Sequence, residues 1–131
     1  MCIFCEIAKG NIPSYTIYED DYVRAFLDLS QATKGHTLVV PKKHVENIFD
    51  MDEETMTHIS NAIVKVSKIL KNKLNIEALN IVNNSGALAG QTVMHAHFHL
   101  IPRYLNDDVK LITVDHAPSK EEMEKTLKEL K

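Results

Sequence analysis

The sequence predicts an α+β domain. Three observations carry this: one long segment with helical apolar spacing, several short β-prone runs bounded by turn residues, and no repeat, low-complexity tract or linker dividing the 131 residues. A chain of that length buries a real core without disulfide staples, so a single domain over 1–131 is expected.

The elements follow in order. After the turn residues Gly10 to Pro13, Tyr15 to Tyr18 reads as a short strand. Tyr22 to Asp28 and His36 to Val40 read as two further strands, the second lying between Gly35 and Pro41. From Glu53 to Asn72, Met56, Ile59, Ile63, Val66 and Leu70 recur at helical spacing, which predicts one long amphipathic helix. Asp50 or Asp52 can cap its start, and Lys65, Lys68, Lys71 and Lys73 crowd its end, where positive charge suits the helix dipole. Its apolar stripe reads equally as a core face or as part of a subunit interface. Ala78 to Val82 is a strong strand, Asn83 to Gln91 a loop, and Val93 to Ile101 a further strand. The charged tail, Ser119 to Lys131, reads as a solvated helix.

Apolar residues make up 44% and charged residues 25%, the balance of a soluble globular protein. The formal charge of −3 gives no electrostatic reason to expect a nucleic-acid or membrane partner. No stretch approaches the ~18 apolar residues of a membrane span, and no basic segment leads into an apolar run at the start. A cytoplasmic location is therefore expected.

The chemistry concentrates in His95-Ala96-His97-Phe98-His99. On a strand, alternate side chains share a face, so the three imidazoles would line one side, about 6.5–7 Å apart per step, with Met94, Ala96, Phe98 and Leu100 on the other. Chance placement on a solvated face accounts for one histidine better than for three of the chain's seven. Two chemistries stay open. Neutral imidazoles can ligate a transition metal that activates water, or one can attack phosphorus directly, because imidazole keeps a free lone pair near neutral pH. The preceding Gly86-Ala87-Leu88-Ala89-Gly90-Gln91-Thr92 brings small residues, backbone N–H groups and a hydroxyl up to the run, which suits a bound phosphate and favours the second. A separate feature, Cys2-Ile3-Phe4-Cys5, is in a reducing compartment more often a metal or redox site than a structural disulfide.

His95-Ala96-His97-Phe98-His99-Leu100-Ile101-Pro102-Arg103 resembles the signature of the histidine-triad (HIT) family of nucleotide hydrolases and transferases. The likeness extends through Cys2-Ile3-Phe4-Cys5-Glu6-Ile7, Ile12-Pro13, Phe26-Leu27-Asp28, Gly35 to His44, Asn84, and Ala89-Gly90-Gln91-Thr92-Val93. After Arg103 it ends: the nucleoside-phosphoramidase branch closes on a Trp-containing stretch, and this chain has no Trp.

The resemblance implies a HIT-like fold, an antiparallel sheet of about five strands with one long helix and a C-terminal helix. It implies that His97 attacks the α-phosphorus of a nucleoside 5′-phosphoramidate or dinucleoside polyphosphate, passing through a nucleotidyl-histidine and releasing a nucleoside monophosphate, with AMP and other purine nucleoside phosphates foremost. By the same likeness His99 and His36 flank the phosphate, and Thr92, Gln91, Gly90 and Asn84 hold the phosphate and leaving group. Asp28 binds the ribose hydroxyls, and Phe4, Ile7, Phe26 and Leu29 clamp the base. Some members and their galactose-1-phosphate uridylyltransferase relatives carry a structural zinc. The matching residues are Cys2, Cys5, His44 and His95. A homodimer with sheets joined across a two-fold axis is also implied. Two rivals remain at this point: a metal-dependent hydrolase with its ion on His95, His97 and His99, and a nucleotide-binding scaffold or regulator with little turnover.

Overall fold

The structure is a computed structural model and describes residues 2–131. In chain order it contains α1 (Ile3–Ala8), β1 (Thr16–Glu19), β2 (Val23–Leu27), β3 (Thr37–Pro41), α2 (Glu53–Leu74), β4 (Ala78–Asn83), β5 (Phe98–Arg103) and α3 (Lys120–Leu130). The five strands form one antiparallel sheet in the order β1-β2-β3-β5-β4. The predicted fold class and strand count hold.

The long helix starts where its chemistry says it should. Asp52, not Asp50, is the cap: its carboxylate accepts from the Thr55 N–H at 3.0 Å and the Thr55 hydroxyl at 2.9 Å. Those donors hold the Asp52 carboxyl down at about 2. The helix ends at Asn75, which takes the left-handed conformation at φ 54°. Ile59, Ala62, Ile63, Val66 and Leu70 are buried against Val23, Ala25, Val39, Phe98 and Leu100 of the sheet. Each large aliphatic side chain so covered contributes roughly 1.5–3 kcal/mol. The stripe is thus consumed by the chain's own sheet, which removes it as a subunit interface.

Period-2 alternation sends Phe26, Leu38 and Val40 to the opposite face, where they form a smaller core with Phe4, Ile7 and Ala8 of α1. Because β3 is central and covered on both sides, all five of its residues are buried.

The strand predicted from Val93 begins only at Phe98. Ladder pairing starts there, with Asn83 of β4 and Val39 of β3 opposite Phe98. The five residues before it leave the sheet, and the Ala96 N–H donates instead to the Val45 carbonyl at 2.6 Å. Only His99 of the run therefore sits on a strand. Alternation of the three imidazoles over one strand face is incorrect for His95 and His97, because local sequence preference carries no information about where a ladder partner ends. The short α1 was not expected at all; the Cys2 thiol caps it, accepting from the Cys5 N–H at 3.4 Å.

The predicted C-terminal helix is present, opened by a capping box between Ser119 and Glu122, and none of its residues is buried. Residues 107–119 before it carry no regular structure. Among the described residues no helix is long and apolar enough to cross a membrane.

Candidate functional site

A cleft of about 780 Å³ opens on the face of the sheet opposite α2. One wall is α1, through Ile3, Phe4 and Ile7; the floor is β2 and β3, through Phe26, Leu27 and Leu38; the far wall is Asn84, Gly90, Thr92 and Val93 with His97 and His99. Asp28 and Leu29 stand at the end of β2, also lining the cleft, and Leu29 is largely exposed at its rim. The apolar part of this lining suits a flat aromatic ligand, and the imidazoles and the Asp28 carboxylate supply polar ends.

Each imidazole has a defined tautomer because its second nitrogen is engaged. His97 Nδ1 lies 2.7 Å from the His95 carbonyl oxygen, so it carries the hydrogen and donates, and Nε2 keeps its lone pair. Asn83 Nδ2 donates to the His97 carbonyl at 3.0 Å and fixes that residue's backbone. The Phe4 ring meets the His97 ring edge to face at 5.0 Å between centroids.

A second chain of bonds sets His99. The Ala32 N–H donates to His36 Nδ1 at 3.1 Å, which leaves the hydrogen on His36 Nε2. That nitrogen lies 2.9 Å from His99 Nδ1 and donates to it, so the His99 hydrogen resides on Nε2. Asp28 stands 3.6 Å from His36 Nε2. Burial first, then the neighbouring His97 and His36 rings, holds the His99 imidazole down at about 4. His99 is thus a neutral donor beside His97, while His36 lies behind it and does not line the cleft.

Gln91 is also withdrawn from the cleft. It is buried; its Nε2 donates to the carbonyls of Glu46 and Val93, and its Oε1 accepts from the Gly86 N–H. The loop's own amides are largely spent inside the loop, those of Ala89, Gly90 and Gln91 bonding to Gly86 and Ala87 carbonyls. An open cradle of backbone N–H groups over 86–91, as expected from the sequence, is not what forms. The glycines serve the tight turn: Gly86 and Gly90 both take positive φ, 95° and 98°.

Cys2, Cys5, His44 and His95 bring four ligand atoms together. Cys2 Sγ and Cys5 Sγ are each 3.4 Å from His95 Nδ1, Cys5 Sγ is 3.2 Å from His44 Nδ1, and the two Nδ1 atoms are 3.2 Å apart. A tetrahedral ion with typical Zn–S and Zn–N bonds would separate sulfur from nitrogen by about 3.6 Å and the two nitrogens by about 3.4 Å. His95 Nε2 donates to the Pro41 carbonyl at 2.8 Å, which turns the Nδ1 lone pair of this fully buried ring into the cluster. These four residues are positioned to hold a metal ion.

The run therefore does not converge on one ion: His95 belongs to the cysteine cluster, His97 is bonded to backbone, and His99 is bonded to His36. A second group, Asp28, His36 and His99, is close enough to ligate. There, however, the Ala32 N–H fixes the hydrogen on the His36 nitrogen that would have to bind metal.

Sequence reading missed four contributors: Asn83, the Ala32 amide, and Tyr15 and Val93 in the lining of the cleft. Asn83 carried a signal only in its place at the end of a strand, and the Ala32 amide carried none.

Comparison with known proteins gives one consistent answer. A family model described as HIT domain matches residues 9–106. An uncharacterized HIT-like protein of Methanocaldococcus jannaschii is 46% identical over 133 aligned positions, covering 100% of this chain and 99% of that one. The crystal structure of a HIT family member from Bacillus subtilis superposes with a TM-score of 0.93 at 41% identity, covering 98% of this chain and 94% of the other. Adenosine 5′-monophosphoramidase of Saccharomyces cerevisiae is 38% identical over 102 residues, 78% of this chain and 62% of that protein.

Proposed function

Because this chain belongs to the HIT family, we propose that it is a nucleotide hydrolase or transferase that attacks the α-phosphorus of nucleoside 5′-phosphoramidates or dinucleoside polyphosphates through His97. The observation that carries the reading is the His97 tautomer. With Nδ1–H committed to the His95 carbonyl, the Nε2 lone pair is available without a separate base.

In this reading the base lies between Phe4, Ile7, Phe26 and Leu29, and Asp28 accepts from the ribose hydroxyls. The α-phosphate sits between His97 and the His99 Nε2–H, with the Thr92 hydroxyl, Asn84 and Gly90 on the far wall. Gln91 and His36 position rather than touch: Gln91 fixes the loop, and His36 orients His99. A P–N bond forms to His97 Nε2 as the bond to the leaving amine or phosphate breaks, and a leaving amine takes up a proton from solvent. Water then attacks the nucleotidyl-histidine: its oxygen joins phosphorus as the bond to His97 Nε2 breaks, its proton returns to solvent, and AMP and free His97 result. The S. cerevisiae relative's name supports a phosphoramidate substrate and adenosine as the nucleoside.

We assign zinc to Cys2, Cys5, His44 and His95, since two thiolates and two imidazoles in a closed tetrahedral set are a structural zinc's ligands. When bound it supplies cross-linking and offers no open position to substrate. Thiolate ligands suit the reducing cytoplasm, where we place the protein. The working unit in this reading is a homodimer; β4 is a free sheet edge carrying exposed Ile81, a surface fit for two-fold pairing that sedimentation would test.

The test is intact mass after mixing with adenosine 5′-phosphoramidate. A transient nucleotidyl adduct is expected, absent in His97→Ala, with turnover in that folded variant lower by at least about 10³-fold. Wild-type turnover in His97→Ala would overturn the mechanism.

A further inference from the structure

The Cys/His centre and the nucleotide cleft share one short element. Helix α1 has six residues, far too few to be stable by itself in water. Cys5 on it and Cys2 at its cap face the cluster with His44 and His95, while Ile3, Phe4 and Ile7 of the same turns line the cleft. Phe4 touches both sides: its ring lies edge to face with His95 at 6.1 Å and with His97 at 5.0 Å between centroids. Beyond the thiols, α1 is held by the small core of Phe26, Leu38 and Val40.

We infer that metal at Cys2, Cys5, His44 and His95 and nucleotide in the cleft bind cooperatively, with α1 as the coupling element and Phe4 as its positioning residue. The inference rests on the nucleotide reading above. Metal fixes both thiols to His44 and His95, on the sheet side, and so orders the α1 wall before nucleotide arrives. Nucleotide packed on Phe4 and Ile7 in turn holds α1, and with it two of the four ligands, in place. Coupling of this kind is reciprocal: the factor by which metal tightens nucleotide equals the factor by which nucleotide tightens metal. The His97 bond runs to the His95 main-chain carbonyl and not to the His95 ring that faces the cluster, so in this inference the metal acts on nucleotide affinity far more than on the attack itself.

The experiment uses the zinc-loaded full chain. Zinc transfer to a chromogenic chelator is timed with and without saturating AMP, and AMP binding to loaded and stripped protein is measured by calorimetry. AMP is expected to slow zinc release at least about fivefold, and stripping is expected to weaken AMP binding by a similar factor. Phe4→Leu is expected to keep one zinc per chain and bring the coupling factor close to one; Ile7→Ala is a second variant should that one misfold. If AMP binds the loaded protein but leaves zinc release unchanged, the coupling is overturned while the nucleotide reading stands. If AMP does not bind, the nucleotide reading fails, and the coupling fails with it.

Discussion

Burial, with the adjacent His97 and His36 rings, holds the His99 imidazole at about 4, below its ordinary value of 6.5. As pH falls the unfolded chain therefore takes up this proton first. The stabilising contribution of a neutral His99 is complete above about pH 6.5 and is lost as pH drops from there toward 4. Urea midpoints should be level near neutrality and decline across that window, and His99→Gln should flatten the decline. The Asn83 amide bonded to the His97 carbonyl allows a second expectation at this scale. Asn83→Ala should cost about 1 kcal/mol in a urea titration, the ordinary worth of such a bond, and lower kcat about tenfold with little change in KM, because what it disturbs is the aim of His97, the nucleophile proposed above.

Between elements, Gly35 packs against α2 more closely than any other of the four glycines packs on its surroundings. Gly35 has φ +91°, and a methyl group there would strike Leu74 at the helix end and press on Pro102 of β5. Gly35→Ala should therefore cost about 2–4 kcal/mol, read as a fall in unfolding midpoint, through strain and overpacking together. The opposite holds for α3, whose residues are all exposed. Removal of 119–131 should change monomer stability by no more than about 0.5 kcal/mol by the same measurement. Arg103 anchors the chain beyond β5, with two bonds of 2.8 Å to Asp107 and one of 2.7 Å to Asn80. That forked pair pushes the Asp107 carboxyl far below its usual range.

Across the whole molecule, two centres share α1, the Cys2, Cys5, His44 and His95 set positioned to hold a metal ion and the cleft proposed above for a nucleotide. Chelation separates the covalent mechanism from a metal-water one. Stripping zinc should lower the melting temperature by several degrees and raise KM, yet leave adduct formation at saturating substrate intact; a metal-water hydrolase would lose turnover altogether.

What could be read from sequence was whatever repeats at short range. The stripe Met56 to Leu70 specified α2, the β-prone runs specified the sheet, and Ser119 with Glu122 specified the start of α3. The histidines and cysteines stood out as candidate chemistry, and the structure brings Cys2, Cys5, His44 and His95 into one cluster and His36 beside His99. The resemblance already implied a division of labour among them; the contacts between distant positions that would carry it out were not legible. His36 sets the hydrogen on His99 across 63 residues, and Cys2 meets His95 across 93. Strand propensity placed His95 and His97 on a ladder that ends at Phe98, because pairing is decided by the partner strand and not by the residues themselves. By itself the sequence determined which side chains could act and which helix would support them. Only the tertiary structure decided which nitrogen of His95 and of His99 carries its hydrogen, since that depends on the Pro41 carbonyl and the His36 ring, brought to them from 54 and 63 residues away.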